Sequence, residues 1–475
     1  MQKNNKTIIK YIAALFLCCA FVLVAPVIAK AGELTMHTIN VLHGDAIVLE
    51  SGGHYMLVDS GYAENSEMLM SYLEKLDIPE KNIDYVVATH PDGDHIGSMY
   101  KVYEEYNVAN TILNDVPKPI KAYSRFINAI KEEGTPFHNP VDGETWTLGS
   151  AKIKVIYDGR QGTTYNESSI VLKVTIDNKS ILLTADLPST MEEKLIQAKC
   201  DLAADILKVG HHGAALSTST QFLKKVKPTH AVISAAPYSA DNLLPRASVL
   251  KRLAKVFAKT YRTTDGDIVM HIKNGVISTD HVENNPYLCI TKGNVVLNST
   301  LWTAGAVAGT AIKPNVSLFV NGQLMDPSKY SISYSDNTHT GIASVKVTGK
   351  ENGTTGKLTG SLSTTFKILP HKSKFYSAIR YNTKVALHWN AQKTCSGYEI
   401  QYSTDKSFKT KVKKVLVKSG TTNKKTISKI SKKKTYYFRV RSYTTNVGNG
   451  AWSTKAKIKK VKVKKVKVKK TKKKN

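Results

Sequence analysis

The apolar run Ile83 to Ala88 opens onto Thr89-His90-Pro91-Asp92-Gly93-Asp94-His95-Ile96-Gly97, which places four metal-donor side chains within six residues. The run is apolar at nearly every position and reads as a strand buried on both faces. A loop at the end of such a strand can fold His90, Asp92, Asp94 and His95 inward around one point. That is what a metal ion needs, because its donors must gather within about 2.0–2.5 Å. Pro91 and Gly93 suit a loop this tight, although Asp and Gly also favour an ordinary polar turn.

Two further strand ends carry residues of the same kind. Asp186 closes Ile181-Leu-Leu-Thr-Ala-Asp186, and His211-His212-Gly213 follows Ile206-Leu-Lys-Val-Gly210. A lone Asp at such a place can be a helix cap, and a histidine pair can be a surface turn. Three coincidences at strand ends point instead to one site assembled from distant parts of the chain. Strands are expected at Thr35–Val41, Ala46–Glu50, Tyr55–Val58, Lys152–Ile156, Ile170–Ile176, Ser180–Thr184, Ile206–Val209 and Ala231–Ser234. Helices are expected near Ser66–Leu76, where Leu69, Tyr72, Leu73 and Leu76 share a face, and near Lys121–Glu132 and Ala247–Ala258. The mixture predicts an α/β (α+β) domain of sheets covered by helices.

An ordered set of segments then carries a family resemblance: Val41-Leu-His-Gly-Asp-Ala46, Val58-Asp-Ser-Gly61, the His-x-Asp-x-Asp-His loop, Asn166-Glu-Ser-Ser169, Thr184-Ala-Asp186, Leu207-Lys-Val-Gly-His-His-Gly213 and Tyr261-Arg-Thr263. This set resembles the metallo-β-lactamase superfamily, in the branch of the ComEC-like DNA-uptake competence proteins. The resemblance spans about Thr35 to Ile277 and implies a four-layer αββα sandwich with its active site at the sheet edges. It also implies two divalent metal ions. Zn²⁺ is the usual ion, and Mn²⁺ suits the more oxygen-rich set created by Asp92, which stands where the superfamily commonly has a second histidine.

Carried onto this sequence, the resemblance assigns His90 and Asp92 to one ion and Asp94 and His95 to the other. Asp186 bridges them, and His211 supplies the remaining ligand, with His212 its nearest rival. Asp59 orients the histidine loop from behind. Such ions lower the pKa of a shared water to about 7 and stabilise charge on the attacked phosphoryl or carbonyl group, so no serine or cysteine nucleophile is needed. Asp94 or Asp186 is then the catalytic residue that takes the water's proton, and His212, Asn166 or Lys208 contacts the substrate anion. One departure stands out. In Asn242-Leu-Leu-Pro-Arg246, Leu244 precedes the proline where this branch usually carries a histidine.

Charge separates the rest of the chain from this domain. The 475 residues hold 68 Lys+Arg and 37 Asp+Glu, a net of +31. From His371 to Asn475, 32 basic residues face only Glu399 and Asp405, and the first 31 residues add Lys3, Lys6, Lys10 and Lys30. Between Gly32 and Pro370 remain 32 basic and 35 acidic residues, a net of −3. A nuclease groove normally carries its own positive field, so the basicity here belongs to the ends.

Those ends have readings of their own. Residues 1–31 read as a signal peptide: a lysine-bearing start, the apolar stretch Tyr11 to Ile28, then Ala29-Lys30-Ala31. Left uncleaved, the stretch is an N-terminal membrane anchor. Its removal leaves Cys200, Cys289 and Cys395, too scattered for a disulfide framework or cysteine zinc cluster, and no transmembrane span. The hydrolase-like domain is taken as residues 32–280. The next segment, 286–370, resembles an Ig-like repeat of Gram-positive surface proteins through Asp326-Pro-Ser-Lys-Tyr-Ser-Ile-Ser-Tyr334 and the strand-like text that follows it. Residues 371–454 resemble a fibronectin type III domain through Val385-Ala-Leu-His-Trp389, Gly397-Tyr-Glu-Ile-Gln-Tyr402 and Tyr436-Tyr-Phe-Arg-Val-Arg441. Residues 455–475 hold 13 lysines and no acid.

A block of like charge is ordinarily a solvated tail. Its functional reading is a clamp for an anionic polymer, wall teichoic acid or DNA, without the aromatic platforms that stack single-stranded bases. Two functions follow. The first is a secreted, cell-wall-associated, metal-dependent hydrolase of phosphodiesters or esters, of the phosphodiesterase or nuclease type. The second is a wall-associated binding protein whose hydrolase scaffold has no turnover; Leu244 favours it and the intact donor set opposes it.

Overall fold

Val86, Val87 and Ala88 are all buried, which requires a strand covered on both faces. Val87 enters a core between two sheets, while Val86 and Ala88 enter a second core beneath helices. The computed structural model describes residues 32–461 apart from 115, 238–242, 306, 308 and 353–355. The signal-like segment, Asn242 and residues 462–475 of the lysine-rich tail therefore lie outside the described residues. The chain divides into two units between Asn285 and Pro286.

In the first unit the strands of the two main sheets are, along the chain, β1 (Glu33–Thr38), β2 (Ile47–Ser51), β3 (His54–Val58), β4 (Tyr85–Ala88), β5 (Thr111–Leu113), β6 (Phe137–His138), β7 (Thr145–Leu148), β8 (Ala151–Tyr157), β9 (Val171–Ile176), β10 (Lys179–Leu183), β11 (Ile206–Lys208), β12 (His230–Ile233), β13 (Lys259–Arg262), β14 (Ile268–Lys273) and β15 (Val276–Ser278). The helices are α1 (Ser66–Lys75), α2 (Gly93–Ile96), α3 (Met99–Glu105), α4 (Lys121–Glu133), α5 (Ser189–Gln197), α6 (Thr220–Val226) and α7 (Ala247–Val256).

One sheet has the order β15-β14-β1-β2-β3-β4-β5-β6 and the other β13-β12-β11-β10-β9-β8-β7. Each is an antiparallel meander that turns parallel on one side. The first does so from β3 through β4, β5 and β6, the second from β10 through β11, β12 and β13. Parallel neighbours need crossover connections, and α1 and the α5–α7 series supply helices for them. Met36, Leu49, Val58 and Val87 of one sheet meet Ile153, Val174, Ile181 and Ile206 of the other in a shared apolar core. The result is the αββα sandwich of an α+β domain, and in such sheets ligands bind beyond the carboxyl ends of parallel strands.

The first strand is shorter than its apolar pattern suggests. Thr35–Val41 reads as one strand, yet the chain leaves the sheet after Thr38. Ile39 and Val41 turn under the helical layer, and Leu42 and Gly44 adopt left-handed backbone with φ of 62° and 104°. This loop carries Asp45 toward the site.

The second unit is all strand apart from one short 3-10 turn among the described residues. Its later half packs the sheet of Phe375–Tyr381, Lys384–Trp389 and Lys424–Ile427 against a sheet built on Gly397–Ser403 and Tyr436–Thr444. Val385, Leu387 and Trp389 alternate inward to meet Tyr398, Ile400, Phe438 and Val440. Trp389 is fully buried, with the Tyr398 ring edge-on at 5.2 Å. Among the described residues, no helix is long and apolar enough to cross a membrane. Trp389→Ala should lower the unfolding free energy of the second unit by about 3–5 kcal/mol, while the first unit's transition stays put. Scanning calorimetry with two resolved transitions checks this, and a shared downward shift would contradict it.

Candidate metal centre

The carboxyl ends of β4, β10 and β11 supply the donors. His90 follows β4, Asp92 precedes the single turn of α2, and Asp94 and His95 lie on that turn. Asp186 follows β10. His211 and His212 follow β11 in a turn where both have left-handed backbone, φ 48° and 51°. The side chains of His90, His95, Asp186 and His212 are no more than 3% exposed, whereas Asp94, Asp92 and His211 are 18%, 23% and 34% exposed. The buried residues form the floor of the site, and the other three mark its open side.

Asp186 lies at the centre. Its Oδ1 is 3.3 Å from His95 Nε2 and 3.4 Å from His212 Nε2, and its Oδ2 is 3.5 Å from His211 Nε2. Asp94 Oδ2 is 3.4 Å from His212 Nε2 and 3.9 Å from His95 Nε2. One donor atom each from Asp94, His95, Asp186 and His212 therefore falls within 4.8 Å of all the others. His90 Nε2 lies 3.9 Å from Asp92 Oδ2, and the His90 and His95 rings are 4.1 Å apart.

Both adjacent histidines lie against Asp186, the preferred His211 beside Oδ2 and its rival His212 beside Oδ1. His212, not His211, completes the group of four. Its Nδ1 is 3.2 Å from the Ser234 carbonyl oxygen and 3.4 Å from Asp45 Oδ1, which turns the ring inward. His211 takes the exposed side of the turn, beside the other oxygen of Asp186, with its Nδ1 3.4 Å from Asn166 Nδ2.

Behind the donors is a layer of buried hydrogen bonds. Asp59 Oδ2 bonds His95 Nδ1 at 2.7 Å and accepts from Thr89 Oγ1 at 2.7 Å, while its Oδ1 accepts from the Thr89 backbone N–H at 2.9 Å. This fixes the ring so that Nε2 faces the site. Lys208 requires a correction. The sequence offered it, with His212 and Asn166, as one of three candidate contacts for the substrate anion, but its ammonium is fully buried and donates to Asp45 Oδ2 at 2.8 Å and to the Val209 carbonyl at 3.1 Å. It neutralises Asp45, which in turn holds His212. Asp45 had no assigned role, although the segment Val41 to Ala46 that contains it had been singled out. Gly44 makes its approach possible, because a Cβ there would sit 2.1 Å from the Asp94 carbonyl oxygen. Leu244 belongs to this neighbourhood too: the next residue, Pro245, packs so closely on Gly213 that a Cβ on that glycine would lie 2.4 Å from Pro245 Cβ.

The electrostatics suit cations. Burial and the adjacent His95 push His90 down to about 3, which leaves it a neutral donor at neutral pH. Burial works to lower His95 and His212, but the carboxylates around them, Asp186 foremost, raise both well above the ordinary histidine range. Burial likewise opposes ionisation of Asp186 and Asp94, yet the facing imidazoles hold both below the usual carboxylate range. His90 Nε2, His95 Nε2, His212 Nε2 and Asp186 Oδ1 are all buried without a hydrogen-bond partner. Buried polar atoms ordinarily have partners. Imidazoles and carboxylates whose free atoms open toward one space fit a divalent cation, whose binding displaces the protons that His95 and His212 otherwise hold.

With this geometry, comparison with known proteins is informative. Residues 39–236 match the family model described as Metallo-beta-lactamase superfamily. The chain is 26% identical over 285 residues to ComE operon protein 3 of Bacillus subtilis, covering 55% of this chain and 36% of that protein. It is 25% identical over 260 residues to Recombination protein 2 of Haemophilus influenzae, covering 53% and 30%. A UPF0173 metal-dependent hydrolase of Flavobacterium johnsoniae is 23% identical over 175 residues, covering 35% and 69%. Among solved structures, the metallo-beta-lactamase fold protein YhfI from Bacillus subtilis aligns with 50% of this chain and 98% of its own, at 14% identity and a TM-score of 0.35. The first unit thus carries a domain that matches the metallo-beta-lactamase superfamily model over residues 39–236 and contains a candidate metal centre. Its relatives include a competence protein at 23% identity, and the chain spans about a third of the length of the first two relatives.

The buried Asp45–Lys208 pair gives a stability test. Lys208→Met strands a buried carboxylate and should lower the unfolding free energy by about 3–5 kcal/mol, and Asp45→Asn/Lys208→Met should recover most of that loss. Although burial works to raise it, Asp45 is held far below the carboxylate range by Lys208 and His212. Its contribution is therefore present above about pH 4 and is lost as pH falls below that. Urea titrations at several pH values measure both effects; a double variant as weak as the single one would show that the pair is not the source.

Proposed function

We propose that the first unit is a two-cation hydrolase acting on phosphodiesters. The observation that carries this reading is the position of Asp186 between two donor sets. Its Oδ1 faces His95 and His212, both of which also approach Asp94, and its Oδ2 faces His211. His90, Asp92, His211 and Asp186 would hold one ion, and Asp94, His95, His212 and Asp186 the other. Bound there, two divalent cations would supply an activated water at neutral pH and stabilisation of the charge that develops on an attacked phosphoryl group. Zn²⁺ suits the imidazoles, and Mn²⁺ suits the three carboxylates.

The chain's own groups do the remaining work. Asp59 keeps His95 Nδ1 engaged so that Nε2 remains free. Asp94, the more exposed of the two inner carboxylates, can accept the proton of the nucleophilic water and pass it to solvent. Asn166 and His211 stand on the open side, where a substrate oxygen arrives. The matches to a metal-dependent hydrolase and to competence proteins favour hydrolysis, with a nucleic-acid backbone as one candidate substrate. Leu244 favours a second reading, binding without turnover, because it replaces a potential acid beside the His211–Gly213 turn.

The experiment uses the protein from Gly32 onward. Metal analysis should find two divalent ions per chain, and bis-p-nitrophenyl phosphate should be hydrolysed. Asp94→Ala and Asp186→Ala should each lower kcat on the order of 100-fold or more. A folded, metal-free and inert protein would support the binding reading.

We further propose export and retention at the cell wall, with the lysine-rich C-terminus holding an anionic polymer, teichoic acid or DNA. Ala456–Ile458 forms a strand paired with residues 436–438, and Ile458 is buried in the core, so the deletion is confined to 462–475. It should release the protein from isolated walls and from DNA, with a difference that shrinks as salt rises, while turnover of the model substrate is retained. Cosedimentation across a salt series reads this out, and equal retention without those residues would refute it.

A further inference from the structure

The open side of the centre is acidic, yet a phosphodiester is an anion. Asp92 and Asp94 both reach the exposed rim. Among the described residues, one lysine or arginine lies within ion-pair distance of either: Lys118, whose Nζ is 2.7 Å from Asp92 Oδ1. Lys118 stands on the loop between β5 and α4, and no sequence motif marked it. Its ammonium sits 4.4 Å from the centroid of the Tyr165 ring, and its side chain is only 21% exposed. Tyr165 immediately precedes Asn166, which stands beside His211. Lys118, Tyr165, Asn166 and His211 therefore line one side of the mouth.

This arm is built into the fold. Asn114, at the start of the Lys118 loop, is buried and donates from Nδ2 to the Thr89 carbonyl at 3.2 Å and to the Ser168 carbonyl at 2.5 Å. The amide thus ties the lysine loop both to the strand end that carries His90 and to the turn that carries Tyr165 and Asn166. An ammonium has three N–H donors, and Asp92 Oδ1 is the one hydrogen-bond acceptor of Lys118 among the described residues. The other Asp92 oxygen faces His90, so engagement of Asp92 by a cation leaves Lys118 in place. Donors remain for an incoming anion, and the aromatic face holds the charge at the rim.

We propose that Lys118, seated on Tyr165, is the anion-recognition residue of this centre: it binds a non-reacting oxygen of the substrate's phosphoryl group and selects anionic esters. The proposal rests on the two-cation reading but can be tested apart from it. In metal-loaded protein, Lys118→Met should weaken orthophosphate binding, measured by calorimetry, about tenfold. KM for bis-p-nitrophenyl phosphate should rise by a similar factor, with kcat and metal stoichiometry retained. Lys118→Arg should restore most of the affinity. Tyr165→Phe should keep it, and Tyr165→Leu should lose part of it. Orthophosphate affinity within twofold of the parent in Lys118→Met overturns the proposal. So does a fall in bound metal, which would make Lys118 a positioning residue for Asp92. A parent protein that binds orthophosphate through Lys118 but hydrolyses nothing would sink the enzymatic reading and leave this one standing.

Discussion

His95 and Asp186 come from different sheets, and the 3.3 Å between Nε2 and Oδ1 exists only because those sheets pack face to face over a shared apolar core. His95 follows β4 of the first sheet, and Asp186 follows β10 of the second. Neither strand holds a metal centre alone. Val58 and Val87 on one side and Ile181 and Leu183 on the other set the sheet separation just beneath the site. Protein interiors are close-packed and resist deformation. The core therefore fixes the distance between donors far apart in sequence, and a misplacement of about 1 Å is enough to disable catalytic geometry.

Burying this many ionisable groups is tolerable because each has its own compensation, and the exception locates the function. Asp59 is satisfied by Thr89 and His95. Asp45 is neutralised by Lys208. Among the unpartnered buried atoms of the described residues, His90 Nε2, His95 Nε2, His212 Nε2 and Asp186 Oδ1 stand out because they belong to neighbouring side chains of one donor cluster. A fold selected for stability alone would replace them with apolar residues, since buried charge is weak support for stability. The supporting pairs are arranged so that the remaining charge deficit falls at the point where the donors meet.

Much of this was legible in the sequence, for identifiable reasons. The donor loop after β4 announced itself through short-range spacing, and the strand beneath it through uninterrupted apolar character; both signals are local. Asp59 was placed behind the histidine loop by the family resemblance of Val58-Asp-Ser-Gly61, because on local grounds an Asp before Ser-Gly is equally an ordinary turn residue. Lys208 was misread because an isolated lysine at a strand end normally reaches solvent, and its partner Asp45 lies 163 residues away. The choice between His211 and His212 depends on two consecutive left-handed residues, which composition does not encode. Lys118 left no signature at all, because its meaning comes from Asp92 and Tyr165, neither of which is its neighbour in the chain.

The same electrostatics constrain the order of events at the centre. Gly32 to Pro370 is slightly acidic, and the carboxylates of Asp92, Asp94 and Asp186 concentrate negative potential at the donor cluster. Without cations, the protons held on His95 and His212 and the ammonium of Lys118 are the positive charges facing an arriving anion. Divalent ions held by these donors would reverse the local sign, so under the proposed reading they would act on binding as well as on chemistry. An acidic pocket is therefore compatible with an anionic substrate, and the basic C-terminal residues are not needed to supply the field at the reacting group.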